Sequence, residues 1–133
     1  MLLDFLPIGL QTTPITCAPE LAVLRNDPDP DFGVLDLPGG YVQQNFYMAQ
    51  QVCHARPIVF GIVARQLTPT LGNRLALGDI AALHRQLAGA HVKYILLHRQ
   101  ANAPLAWHQT VAAYRRVYQT VREGTDLTVL KVY

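Results

Sequence analysis

The sequence predicts an α/β fold, a three-layer, Rossmann-like sandwich around a mostly parallel central sheet of about four to five strands. Three observations carry that expectation. Short apolar runs of strand length, Val34 to Leu37, Ile58 to Val63 and Val92 to His98, alternate with segments whose apolar residues recur at helical spacing. Breakers stand at the joins: Pro38, Gly39 and Gly40 after the first run, Pro57 before the second and Gly89 before the third. The closing stretch, LTVLKVY from Leu127 to Tyr133, alternates as a strand with one solvated face, so it is expected beside Val92 to His98, antiparallel and at an edge.

Taken in order, residues 1–17 hold Pro7, Gly9 and Pro14, which leaves room for one short strand near Leu3 to Leu6 or Ile15 to Cys17. Pro19 opens a short helix over Ala18 to Arg25, because a first-turn residue needs no N–H. The run NDPDPD from Asn26 to Asp31 is a turn-rich connector whose prolines forbid regular structure. Tyr41 to His54 reads as a helix with Val42, Phe46, Ala49 and Cys53 on its inward stripe. Pro57 ends it, and Ile58 to Val63 has the unbroken apolar character of a strand covered on both faces. Gln66 to Gly78 reads as a loop, after which Asp79 caps a helix to about Ala88 with Ile80, Leu83 and Leu87 inward. A polar turn at 99–103 leads to Pro104, which opens a long helix to about Glu123. Trp107, Val111, Tyr114, Tyr118 and Val121 share one of its faces, and Gly124 is read as its stop.

A length of 133 residues suits one domain, 1–133, with a single core. Hydrophobic residues make up 50% and charged residues 15%, which is apolar for a small monomer and predicts a buried interface, with a second copy as a homodimer or with another partner. The 11 basic and 9 acidic residues are scattered, so the basic face that phosphate backbones require is missing and no nucleic-acid partner is expected. Cys17 and Cys53 fit neither a zinc spacing nor a disulfide framework. Two free, mostly buried thiols are the favoured expectation, and a single Cys17–Cys53 bridge is the alternative. No apolar run approaches the roughly 20 residues of a membrane-spanning helix. Asp4 and Pro7 interrupt the opening apolar stretch, and no basic leader precedes it, so a product complete as written is expected in the cytoplasm.

Ligands of parallel sheets gather where strands end and helices begin. That rule selects Asp36, Gly39 and Gly40 after the first core strand, Arg65 after the second, and His98 and Arg99 after the third. The group could bind an anion or small ligand, or serve only as ion pairs that hold the loops. Gly39-Gly40 could bring backbone N–H groups to a phosphate, although Pro38 already explains a tight turn. His54 is expected roughly 15 Å or more from the strand-end group, since the helix should carry it to the far end of the sheet. His84, His91 and His108 stand alone, no metal site is expected, and no catalytic residue or cofactor is assigned. The aromatic stripe Trp107, Tyr114, Tyr118 reads as core packing, or as a contact surface if exposed.

VLDLPGG from Val34 to Gly40, then Tyr47, Met48 and Gln50, then HARPIVFGIVAR from His54 to Arg65, resemble a pattern in the C-terminal soluble regions of certain bacterial multi-spanning membrane proteins. Those proteins are similar to lipid-linked-sugar glycosyltransferases of the GT-C type. AALHRQLAGAHVKYILLHR from Ala81 to Arg99 resembles the same regions. The resemblance marks Asp36, Gln50, His54, Pro57, Gly61, Arg65, His98 and Arg99. It departs at Ala55-Arg56, where the pattern has Gly-Lys, and at Ile62, where it usually has Tyr. It implies a non-catalytic accessory or substrate-binding domain at the extracytoplasmic face, partnered with the membrane-embedded part of a longer protein or with a neighbouring membrane protein. The competing expectation is a free-standing small α/β enzyme, or a nucleotide or anion binder, built on Asp36, Arg65 and His98.

Overall fold

The computed structural model describes residues 14–39, 41–60 and 71–133, the side chains of 41 and 42 excepted. Gly40, Gly61 and Arg65 lie outside the described residues, as do the strand expected near Leu3 to Leu6 and the second half of the run Ile58 to Val63. A 3-10 turn over Pro19–Leu21 leads into α1 (Ala22–Asn26). There follow β1 (Gly33–Leu37), α2 (Tyr41–His54), α3 (Leu71–Arg74), α4 (Ile80–Gly89), β2 (Val92–His98), α5 (Leu105–Val117), β3 (Gln119–Glu123) and β4 (Leu127–Lys131).

The fold is mixed α/β, with a four-stranded sheet in the order β1-β2-β4-β3. The expectation of a mostly parallel, Rossmann-like sheet is corrected: β1 and β2 are parallel, whereas β2 with β4 and β4 with β3 are antiparallel. The cause lies after Val117. The long helix expected to reach Glu123 ends there, Tyr118 turns to extended backbone, and 119–123 become a strand. Gly124 therefore stops no helix. It sits in the β3–β4 turn, donating its N–H to the Leu127 carbonyl at 2.8 Å, and a turn this short can join only antiparallel neighbours. The last strand is likewise not at the edge, because β3 lies outside it.

The run at Ile58 meets β1 as expected in direction. Val34 and Ile58 form a parallel bridge, with Val34 N–H donating to the Pro57 carbonyl at 2.8 Å and Val59 N–H to the Val34 carbonyl at 2.9 Å. Asp79 caps α4 as read, accepting from Ala82 N at 3.1 Å.

Period-two alternation sorts the strand residues into two cores. Leu35, Leu37, Ile95, Leu97 and Leu130 pack with Leu83 and Leu87 of α4 and Tyr114 of α5. Val34, Tyr94, Leu96, Leu127 and Val129 pack on the other side with Leu21, Leu24 and Cys53. Tyr114 and Tyr118 are buried, which removes the contact-surface alternative for those two residues.

The helical face of α2 is a second correction. Phe46 is 53% exposed, whereas Tyr47, Gln50, Cys53 and His54 are buried. Positions 47, 50 and 54 follow the i, i+3, i+7 pattern of one helical face, and their polar atoms concealed that face from a hydropathy reading.

Arg56 organises the proline-rich connector. Its guanidinium donates to the carbonyls of Leu24 at 3.1 Å, Asp29 at 2.9 Å and Asp27 at 2.8 Å, and lies 4.2 Å from the Phe32 ring centre. Asp27 also takes Lys93 Nζ at 2.9 Å. The neighbouring Ala55 holds φ at 56°, a left-handed conformation that suits glycine and costs an L-residue about 1 kcal/mol or more. Ala55→Gly is expected to stabilise the fold by about 0.5–1 kcal/mol after glycine's larger unfolded-state entropy is subtracted. Urea denaturation checks this, and an unchanged or lowered midpoint counts against it.

Candidate functional site

Because β1 and β2 are parallel, their carboxyl ends share one edge. Asp36 lies two residues after Val34, and His98 lies two after Leu96. Both side chains therefore emerge on the face covered by α2. There His98 Nε2 stands 2.7 Å from Asp36 Oδ1, with side-chain exposures of 10% and 1%. Nε2 is thus the ring nitrogen turned to the carboxylate.

Helix α2 closes over this pair. Tyr47 stacks on the His98 ring at 4.6 Å between centres and 27° between planes, and Phe46 meets it edge-on at 5.8 Å. The Tyr47 hydroxyl donates to the Pro38 carbonyl at 2.7 Å. Burial, reinforced by the Asp36 charge, raises that hydroxyl above the ordinary tyrosine range, so it remains a donor. Gln50 Nε2 reaches the Thr16 carbonyl at 3.4 Å.

His54 corrects the distance expected for it. It is 1% exposed and within electrostatic reach of both Asp36 and His98. Two features of geometry account for this. The helix starts beyond the end of β1, and its Cα–Cβ bonds tilt toward its own N-terminus. Nδ1 of His54 accepts from Arg56 N–H at 3.1 Å, while His54 Nε2 and Asp36 Oδ2 are buried without a partner among the described residues.

Burial pushes the His54 imidazole below its ordinary value of 6.5; Asp36 opposes the shift, and Arg56 and His98 add to it. A lowered folded value means that the unfolded chain binds the proton more readily. His54 therefore contributes stability above about pH 6.5 that is lost as pH falls below it. Melting temperatures measured from about pH 7.5 to pH 5 should decline for this chain and decline less for His54→Asn; parallel curves would refute the assignment.

The favoured expectation of free thiols is overturned: Cys17 and Cys53 form a disulfide. The inward face of α2 brings Cys53 within 5.5 Å (Cα–Cα) of Cys17, an approach that a separation of 36 residues does not reveal. The bridge fastens the front segment around Thr16 to Leu21 along α2 and makes it one wall of a cleft of about 730 Å³. Phe46, Tyr47, Gln50, His98, Arg99 and Asp126 line the rest of it. A second cleft, of about 420 Å³, begins at His98 and Arg99 and runs toward Trp107 and Glu123. Where the two meet, the Glu20 carboxylate lies over Gly124, in the space a methyl group on that residue would need.

Of the residues singled out from sequence, Asp36, His98, Gln50 and His54 are brought together, and Arg99 lies exposed beside the cleft. Gly39 does not join them. A side chain there would meet the Phe60 ring at 3.1 Å, so close packing accounts for the glycine without a phosphate. Pro57 contributes its carbonyl to the bridge with β1. Among the described residues, no cluster of His, Cys, Asp and Glu could hold a metal ion. Sequence reasoning missed Tyr47, Phe46 and the wall from Thr16 to Leu21. The i, i+3, i+7 spacing of Tyr47, Gln50 and His54 was the signal that could have found the first.

Fold and site together define a mixed α/β domain with an open cleft over a buried Asp–His pair. No family model matches the chain, and no curated protein or solved structure matches it significantly. Among the described residues, no helix is long and apolar enough to cross a membrane.

Proposed function

We propose that this protein is a non-catalytic, substrate-binding accessory domain that works at the extracytoplasmic face beside a membrane-embedded, glycosyltransferase-like partner. The partner is either another part of a longer chain or a neighbouring membrane protein. One observation carries the reading: Asp36, Gln50, His54 and His98, marked by the resemblance in separate motifs, converge beside a single cleft. Residues held for packing alone have no reason to gather a buried carboxylate and two imidazoles, since each such group is costly to remove from water. The disulfide adds support, because such bridges persist in oxidising compartments outside the cytoplasm. We read the two cores on opposite sheet faces as the finer, three-layer arrangement of helices about the sheet.

The test is a titration with glucose, N-acetylglucosamine and their 1-phosphates, followed by the His98 imidazole and the Gln43, Gln50 and Gln100 side-chain amides in NMR spectra. Shifts concentrated at those groups are expected. Spectra unchanged at all four by every probe would sink the reading.

A further inference from the structure

We infer that the two clefts are one continuous groove for an extended, neutral oligosaccharide, with one sugar ring against Phe46 and another against Trp107. This rests on the reading of the first cleft as a ligand site. The inference starts from the rim, since His98, Arg99, Gln100, Thr125 and Leu127 line both clefts. The two clefts therefore adjoin over the carboxyl end of β2, one on each side of the hydrogen-bonded strand ends. Each cleft, at about 730 Å³ and 420 Å³, has the volume of an ordinary small-ligand site. A chain crossing the shared rim can occupy both at once.

The chemistry favours a sugar chain. An exposed aromatic stands at one end in Phe46, and a half-buried one at the other in Trp107. Apolar ring faces suit such surfaces, while the amides of Gln43 and Gln100 and the hydroxyl of Thr125 suit sugar hydroxyls. Three carboxylates, Glu20, Glu123 and Asp126, stand against the single guanidinium of Arg99 in the two linings, so a polyanion is repelled. A peptide is disfavoured because extended peptides bind by adding to a free strand edge. At this rim β2 is paired on both sides and β4 lies between β2 and β3.

The experiment measures calorimetric affinity for β-1,4-linked glucose and N-acetylglucosamine oligomers of one to six units. The hexamer of at least one series should bind at least about tenfold more tightly than its monomer, the equivalent of one further stacked ring. Trp107→Ala should reduce the hexamer's affinity to that of the monomer. Ala103→Trp, which fills the second cleft without removing core packing, should do the same even if Trp107→Ala fails to fold. Binding that ignores chain length, or a length gain that survives Ala103→Trp, overturns the groove and leaves the single-cleft reading standing. Failure of every sugar to bind overturns both, and binding of unstructured peptides in their place rejects the sugar assignment.

Discussion

Replacing Cys17 and Cys53 by serine together is expected to destabilise the fold by about 3–4 kcal/mol, the loop entropy released when a closure of this length is opened. The bridge spans a sequence separation of 36 residues. Leu21 and Leu24 also anchor the front segment, at 2% and 0% exposure, so the double serine variant should still fold. It should melt earlier and unfold in urea at a lower midpoint. The cleft is affected more than the core, because its front wall is the tethered segment and Gln50 donates to the Thr16 carbonyl there. A loss below about 1 kcal/mol would mean that leucine packing alone holds the segment, and that the denatured chain gains little from the cut.

His98→Ala is expected to cost about 3–5 kcal/mol, because it strands the Asp36 carboxylate at 1% exposure with its other oxygen already unpartnered among the described residues. The Tyr47 ring would also lose the imidazole it stacks against. Asp36→Ala should cost less, since an imidazole can remain neutral when its partner is gone. The double variant should therefore fall well short of the sum of the two. A double-mutant cycle in denaturant measures the coupling directly, and additive effects would show that the pair is not a unit.

The parallel direction of β1 and β2, and with it the meeting of Asp36 and His98, was legible in the sequence. Each strand is an apolar run closed by a turn signal, and each candidate residue sits at its carboxyl end. The hairpin was not legible. Gln119, Thr120, Arg122 and Glu123 are all exposed, so the strand has no apolar alternation to announce it. Val121 also continues the spacing of α5, which hid the break at Val117. The buried face of α2 misled for the opposite reason, since Tyr47, Gln50 and His54 carry polar atoms that meet Pro38, Thr16 and Arg56 once folded. The disulfide depends on tertiary proximity, about which spacing is silent.

Gly124 carries a consequence for the charge of the cleft. Because the Glu20 carboxylate fills the hollow above it, a bulkier residue at 124 would swing that flexible side chain aside at small energetic expense and move a negative charge away from the junction of the crevices. The acidity of that corner is thus tuned from the opposite bank. A substitution at 124, which itself lines the second cleft, would change both the room and the charge at that corner.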